Sequence, residues 1–214
     1  MNHHLIITPT LAEAKLLISA LNMKNIEHRL YSVKDNSIDL LVCGPGLPAA
    51  MFHTMQLLTS KKYDIIQLAG IAGSYNEKLT TGSLVCIESE QFADIGVHDN
   101  REFTSLCTHT EWMEIYRNGK IKNPHRELMH NTKLPLATSN TVNTNNLTLE
   151  GIPTADIENM EGAGLFMIFN EMKIPFLEIR AISNQVSERN KLKWNIHTAV
   201  ENLTNYLVGK VEKR

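Results

Sequence analysis

Short apolar runs alternate with stretches of helical periodicity along this chain, and that alternation leaves few folds open. Leu5-Ile6-Ile7 is the first run. Leu11, Ala14, Leu17, Ile18 and Leu21 then recur at the period of an amphipathic helix from Thr10 to about Met23. Thr10 stands at the N-cap of that helix with Glu13 three residues on, the spacing of a reciprocal cap. Ile26 to Val33 and Ile38 to Cys43 predict two strands joined by the turn Asp35-Asn36-Ser37. Pro48 opens a predicted helix that runs to Thr59. Ile65 to Ala69 reads as a buried strand running into a small-residue segment, Gly70-Ile71-Ala72-Gly73. Further strands are predicted at Ser83 to Ile87, Leu134 to Thr138 and Pro175 to Ile182, and further helices at Glu161 to Met172 and Leu192 to Val208. Gln91 to Lys133 is polar and weakly periodic, so loops and short helices are expected there. No repeat, low-complexity stretch or linker divides residues 1–214, which read as a single α/β domain with a mixed or parallel sheet covered on both faces.

In such folds ligands sit at the carboxyl ends of strands. The residues there are Thr8-Pro9-Thr10, Gly44-Pro45-Gly46, Gly70 to Gly73, Ser139 to Thr144 and Ser183-Asn184. Gly44 to Ala49 fits a dinucleotide-binding pattern loosely, but Pro45 and Pro48 lack the N–H groups that a pyrophosphate turn offers. NAD or FAD is therefore not expected. Gly70 to Gly73 would suit the approach of a flat ligand, or a turn with positive φ. Glu13 is either a solvated capping carboxylate or a general base at the mouth of the sheet. Glu161, in the first turn of its predicted helix, gains from the helix dipole and could accept two hydrogen bonds from a ribose diol. Gly162 and Gly164 each cost the helix about 1 kcal/mol relative to Ala, which implies a close approach at those positions.

Charge narrows the classes further. Lys and Arg total 21 against 23 Asp and Glu, a net charge of -2, so there is no basic excess for nucleic acid. No apolar run is long enough for a membrane span, and Met1-Asn2-His3-His4 does not resemble a secretory signal, so a cytoplasmic protein is expected. Cys43, Cys86 and Cys107 are odd in number and far apart, which argues against a disulfide framework and against zinc. The nine histidines form no HExxH pattern, and no metal is expected.

The segments TPTLAEAKLL, CGPGLPAA, LAGIAGSYNEKLTTGSLV, IENMEGAG and RAISNQVSERNKLKW together resemble the nucleoside phosphorylase and nucleosidase superfamily. The likeness covers nearly the whole chain in order and is greatest to the futalosine hydrolases of menaquinone biosynthesis. It implies a three-layer α/β/α fold with a mixed, twisted central sheet, and hydrolysis of futalosine to hypoxanthine and dehypoxanthine futalosine without a cofactor. By the resemblance, Glu13 would activate water and Asn184, beside Ser183, would hydrogen-bond the purine. Met160 and Glu161 would hold the ribose. Asn159 joins that group, standing where methylthioadenosine nucleosidases carry a second Glu, with Glu158 as a possible substitute. Ala72 and Gly73 would floor the base pocket, which Val142 and Asn143 would face. Phosphorylases of the superfamily place a phosphate-binding Arg shortly after the first strand. Thr8 to Ala12 offers none, which favours water as the nucleophile. A homodimer is also implied. Arg101, Arg180 and Arg189 are candidate partners for the benzoate carboxylate of futalosine, and Arg180 is equally a candidate for a buried ion pair. Two alternatives remain: a nucleosidase releasing adenine from methylthioadenosine, S-adenosylhomocysteine or aminodeoxyfutalosine, and a non-catalytic module that binds purine nucleosides.

Adenine-specific relatives carry Asp at the position of Asn184. An amide can donate to a 6-oxo group, whereas a carboxylate only accepts and so suits a 6-amino group. Asn184→Asp should shift the ratio of futalosine to aminodeoxyfutalosine cleavage toward the amino substrate by about tenfold or more, read from kcat/KM for each.

Overall fold

A computed structural model describes residues 3–99, 102–105, 119–144, 153–186 and 194–211. In chain order the elements are β1 (His4–Thr8), α1 (Leu11–Ala20), β2 (Lys24–Glu27), β3 (Leu30–Ser32), β4 (Ile38–Val42), α2 (Leu47–Ser60), β5 (Ile65–Ser74) and β6 (Leu84–Phe92). They continue with β7 (Gly96–Asp99), β8 (Glu102–Ser105), β9 (Ile121–Lys122), α3 (Arg126–Thr132), β10 (Leu136–Thr141), β11 (Ile157–Asn159), α4 (Gly162–Glu171), β12 (Phe176–Gln185) and α5 (Ile196–Val211). The main sheet is mixed, in the order β11-β10-β6-β12-β5-β1-β4-β3-β2, with β9 on β6. The end strand β11 also pairs antiparallel with β5, so one half of the sheet curls round until it meets itself.

Strand alternation sends successive side chains to two separate cores. Leu5 and Ile7 of β1 and Val85 and Ile87 of β6 pack in one core with Leu47, Ala50 and Leu57 of α2 and Phe166 and Phe169 of α4. Ile6 and Cys86, between them in sequence, join the other core with Leu17 of α1, Met129 of α3, and Ala199 and Leu203 of α5. The result is the expected three-layer α/β/α fold with a mixed sheet.

Several predicted boundaries change. Ile26 to Val33 is not one strand but the β2–β3 hairpin, turned at His28 and Arg29 with Arg29 at φ 64. The first helix stops at Ala20 rather than near Met23, because Asn22 takes φ 50. Gly70 to Gly73 forms no turn: β5 continues through it to Ser74, and neither glycine has positive φ. Ser139 lies inside β10 and Asn184 inside β12, so both strands outrun the apolar stretches that announced them. Glu161 is the N-cap of α4 rather than part of its first turn. The last helix begins at Ile196 instead of Leu192, which lies outside the described residues, as does Cys107. The polar region from Gln91 to Lys133 supplies short strands as well as a helix, formed by pairing that no local period reveals.

Phe176 is fully buried where α4 meets the sheet, its ring 4.7 Å from that of Phe166 and 5.3 Å from that of Phe169. Phe176→Ala should cost roughly 3–5 kcal/mol of stability, read as a lowered denaturant midpoint.

Candidate active site

At the carboxyl ends of β1, β5 and β12, beside the start of α4, lies a cavity of about 210 Å³. Nine of the ten residues predicted for a site line it: Glu13, Ala72, Gly73, Val142, Asn159, Met160, Glu161, Ser183 and Asn184. Asn143 is not among them. Its backbone N–H and its amide both donate to Asp94, which ties down the loop outside the cavity.

Glu13 is a buried residue, only 7% exposed, and not a solvated cap. The Thr10 hydroxyl donates to its Oε2 at 2.6 Å, and the Ile71 N–H donates to its Oε1 at 3.0 Å. Burial pushes the carboxyl above its ordinary value, while those two hydrogen bonds and the nearby Arg180 pull it back down. The outcome is a fixed carboxylate aimed at the cavity with raised basicity, which suits a general base.

Asn184 lines the same cavity from β12, on the other side of β5. The register between β12 and β5 slips at Ser183, pairing Ile182 with Ala72 and Asn184 with Gly73, and this bulge re-aims the side chain. Oδ1 of Asn184 accepts from the Ser183 hydroxyl at 2.8 Å, and Nδ2 donates to the Gln185 carbonyl at 3.1 Å. One Nδ2 proton is left for a ligand acceptor. Asn195 donates its N–H to the Ser183 carbonyl at 2.9 Å and so holds Trp194 at the rim.

The IENMEG segment divides its labour. Oδ1 of Asn159 accepts from the N–H groups of Glu161 and Gly162 at 2.8 and 2.7 Å and caps the start of α4, and Thr141 Oγ1 takes the Ala163 N–H. Nδ2 of Asn159 donates to Glu90 and Ser139. Every polar group of that side chain thus faces protein, and Asn159 positions its neighbours rather than offering a hydrogen bond to a sugar. Glu161 is held differently, accepting from the Gly46 N–H at 2.9 Å and from Arg180 Nη1 at 3.5 Å. Glu158 accepts from the Tyr75 hydroxyl and lies beside Gly73, with burial raising its carboxyl.

Behind this wall lies a charge cluster that the sequence reading touched only at Arg180. Arg180 is fully buried, with Nε donating to Glu178 Oε1 at 2.7 Å and Nη2 to Asn159 Oδ1 at 3.2 Å. It does not line the cavity, so the ion-pair reading holds and the benzoate reading does not. Burial and the neighbouring Glu178 push Glu90 well up, toward the neutral acid. Burial raises Glu178 as well, with Arg180 offsetting part of the effect, and its Oε2 has no hydrogen-bond partner among the described residues. The glycines make room for these groups. A Cβ on Gly70 would stand 2.6 Å from Arg180 Nη1, and one on Gly162 would stand 2.2 Å from Glu90 Oε1. The signal for the cluster was the spacing of Glu178 and Arg180, which puts both on one face of an otherwise apolar strand. Arg101 and Arg189 lie outside the described residues.

No family model matches the chain. It is 31% identical over 186 residues to a futalosine hydrolase of Streptomyces coelicolor, covering 81% of this chain and 77% of that protein. Solved structures of similar fold include the 5′-methylthioadenosine/S-adenosylhomocysteine nucleosidase of Colwellia psychrerythraea in complex with adenine, with TM-score 0.81, 20% identity, and 99% and 95% of the two chains covered. They also include the futalosine hydrolase of Helicobacter pylori, with TM-score 0.76, 11% identity, and 100% and 98% covered.

A base must be ionised to act, so activity should fall as pH drops through the Glu13 pKa, which burial places above the usual 4.5. Removing the Thr10 hydroxyl takes away a contact that lowers that pKa. Thr10→Ala should therefore move the acid limb of the kcat/KM profile to higher pH.

Proposed function

Because the chain belongs to the futalosine hydrolase family, we propose that it hydrolyses the N-glycosidic bond of futalosine, releasing hypoxanthine and dehypoxanthine futalosine in menaquinone biosynthesis. The observation that carries this reading is that Glu13, from α1, and Asn184, from β12, line one cavity and meet β5 at different points. Glu13 is bonded to Ile71, and Asn184 pairs with Gly73. The two side chains approach β5 from the sides of its two neighbours, β1 and β12, so the cavity between them has a water side and a base side.

On this reading Glu13 takes a proton from a water as the water oxygen bonds to the anomeric carbon. The bond from that carbon to the purine nitrogen breaks, and the electron pair leaves with the base. The transition state is oxocarbenium-like. Charge developing on the purine is met by the free Nδ2–H of Asn184, which donates to the 6-oxo oxygen. Glu161 accepts from the 2′ and 3′ hydroxyls, and Met160 covers the sugar. Ala72 and Gly73 floor the base pocket, whose wall Val142 completes. No step needs a metal or a cofactor.

A homodimer belongs to the same proposal. Phe52 and Met55 of α2 are 63% and 38% exposed, and Met160, at the cavity, is 40% exposed. These apolar side chains suit a second copy. A reducing compartment, the cytoplasm, suits the free thiols of Cys43 and Cys86.

The test is a product assay without phosphate on futalosine, aminodeoxyfutalosine, methylthioadenosine and inosine. Hypoxanthine from futalosine is the expected result. Adenine from the amino substrates alone would overturn the substrate assignment, and no base from any of them would overturn the enzyme. Glu13→Gln should bind futalosine while losing about 10³-fold or more in kcat.

A further inference from the structure

The reaction cavity carries three carboxylates, Glu13, Glu158 and Glu161, and among the described residues no lysine or arginine lines it. An anionic group on the substrate would be repelled there and must find its partner beyond the rim. The rim at the ribose end is formed by Thr10 and Pro45, because Glu161 is bonded to Gly46 in the same turn. With the ribose on Glu161, as proposed above, an arm leaving the 5′ carbon would pass over those two residues.

A second depression, of about 330 Å³, lies beyond them, between Leu11, Tyr31, Val42, His28 and Arg29. The topology explains its place. Leu30 of β3 pairs with Leu41 of β4, so the tip of the β2–β3 hairpin reaches the same sheet edge as the Gly44–Gly46 turn. The Val42 N–H donates to the Arg29 carbonyl at 2.9 Å and fixes the tip. Arg29 Nη1 lies 3.7 Å from the Cβ position of Gly44, the residue next to Pro45. Arg29 Nε donates to His28 Nε2 at 3.2 Å, and its terminal nitrogens form no ion pair among the described residues. Leu11 beside it is 52% exposed, an apolar wall next to a cation. Arg29 also holds φ 64, a conformation that Gly or Asn adopts more readily than Arg. The turn keeps a guanidinium where local backbone preference would not choose one.

We propose that Arg29 binds the carboxylate at the far end of the substrate's 5′ arm, with Leu11 packing on the aromatic ring that carries it. The inference rests on the futalosine reading, since that nucleoside ends in a benzoate. A guanidinium offers the planar fork that a carboxylate accepts, and a pocket of this kind separates acid-bearing nucleosides from neutral ones.

The experiment compares futalosine with its methyl ester, which keeps the arm and removes the charge. The native protein should prefer the acid by about tenfold or more in KM. Arg29→Asn, compatible with positive φ, should bring the two values together, and Arg29→Lys should restore part of the preference. An unchanged acid-to-ester ratio in Arg29→Asn, with futalosine still cleaved, would overturn this inference alone. If the native protein releases no base from futalosine, the functional reading fails and this one with it.

Discussion

One buried guanidinium organises the ligand-binding end of this molecule. Arg180 comes from the middle of β12 and touches Glu178 on its own strand, the Ile71 carbonyl on β5, and Asn159 and Glu161 at the start of α4. Three separate pieces of chain are thereby held to one point. A buried charge of this kind adds little stability by itself, because desolvation offsets most of the attraction. Its contribution is geometric, since neither partner can drift without leaving a charge unpaired in a dry interior. Glu13 feels the same positive field, which offsets part of the effect of its burial. Glu13 and Glu161, both lining the cavity, thus answer to one cation.

Small residues make that arrangement possible. Gly70 and Gly162 stand where any side chain would strike Arg180 or Glu90. The energetic penalty of glycine in a strand or at a helix start is therefore traded for room to bring charged groups into contact. The sequence shows these glycines as unexplained breaks in good strand and helix patterns. The close approach they imply is real, but the visitors are the protein's own buried side chains.

Much of the architecture was legible because it is written in local periodicity. The helices near Thr10, Pro48 and Glu161 and the apolar centres of β1, β4, β5 and β12 all announce themselves. So does Glu13, whose place just beyond the first strand makes it a candidate before any packing is known. Strand ends were not legible, because Gly70 to Ser74, Ser139 to Thr141 and Ser183 to Gln185 are small or polar and become strand only by pairing. The roles of Asn159 and Asn143 escaped for a related reason. A side-chain amide looks alike in sequence whether it meets a ligand, caps a helix or pins a loop, and only its neighbours decide. The β2–β3 hairpin was hidden because an Arg sits where a turn would ordinarily advertise itself with Gly or Asn.

The position of β12 has a consequence for how the molecule comes into being. This last strand does not add to an edge but lies between β5 and β6, which precede it by many residues. Until it arrives, β5 and β6 present open edges to each other, and the two halves of the sheet meet only where β11 pairs with the end of β5. Such long-range pairing is slow and leaves sticky edges exposed in the meantime. On a ribosome, β12 must emerge before the gap between β5 and β6 can close. Glu13 is made before β12, and the cavity is completed in a single later event, when one strand brings Arg180 and Asn184 together into the gap.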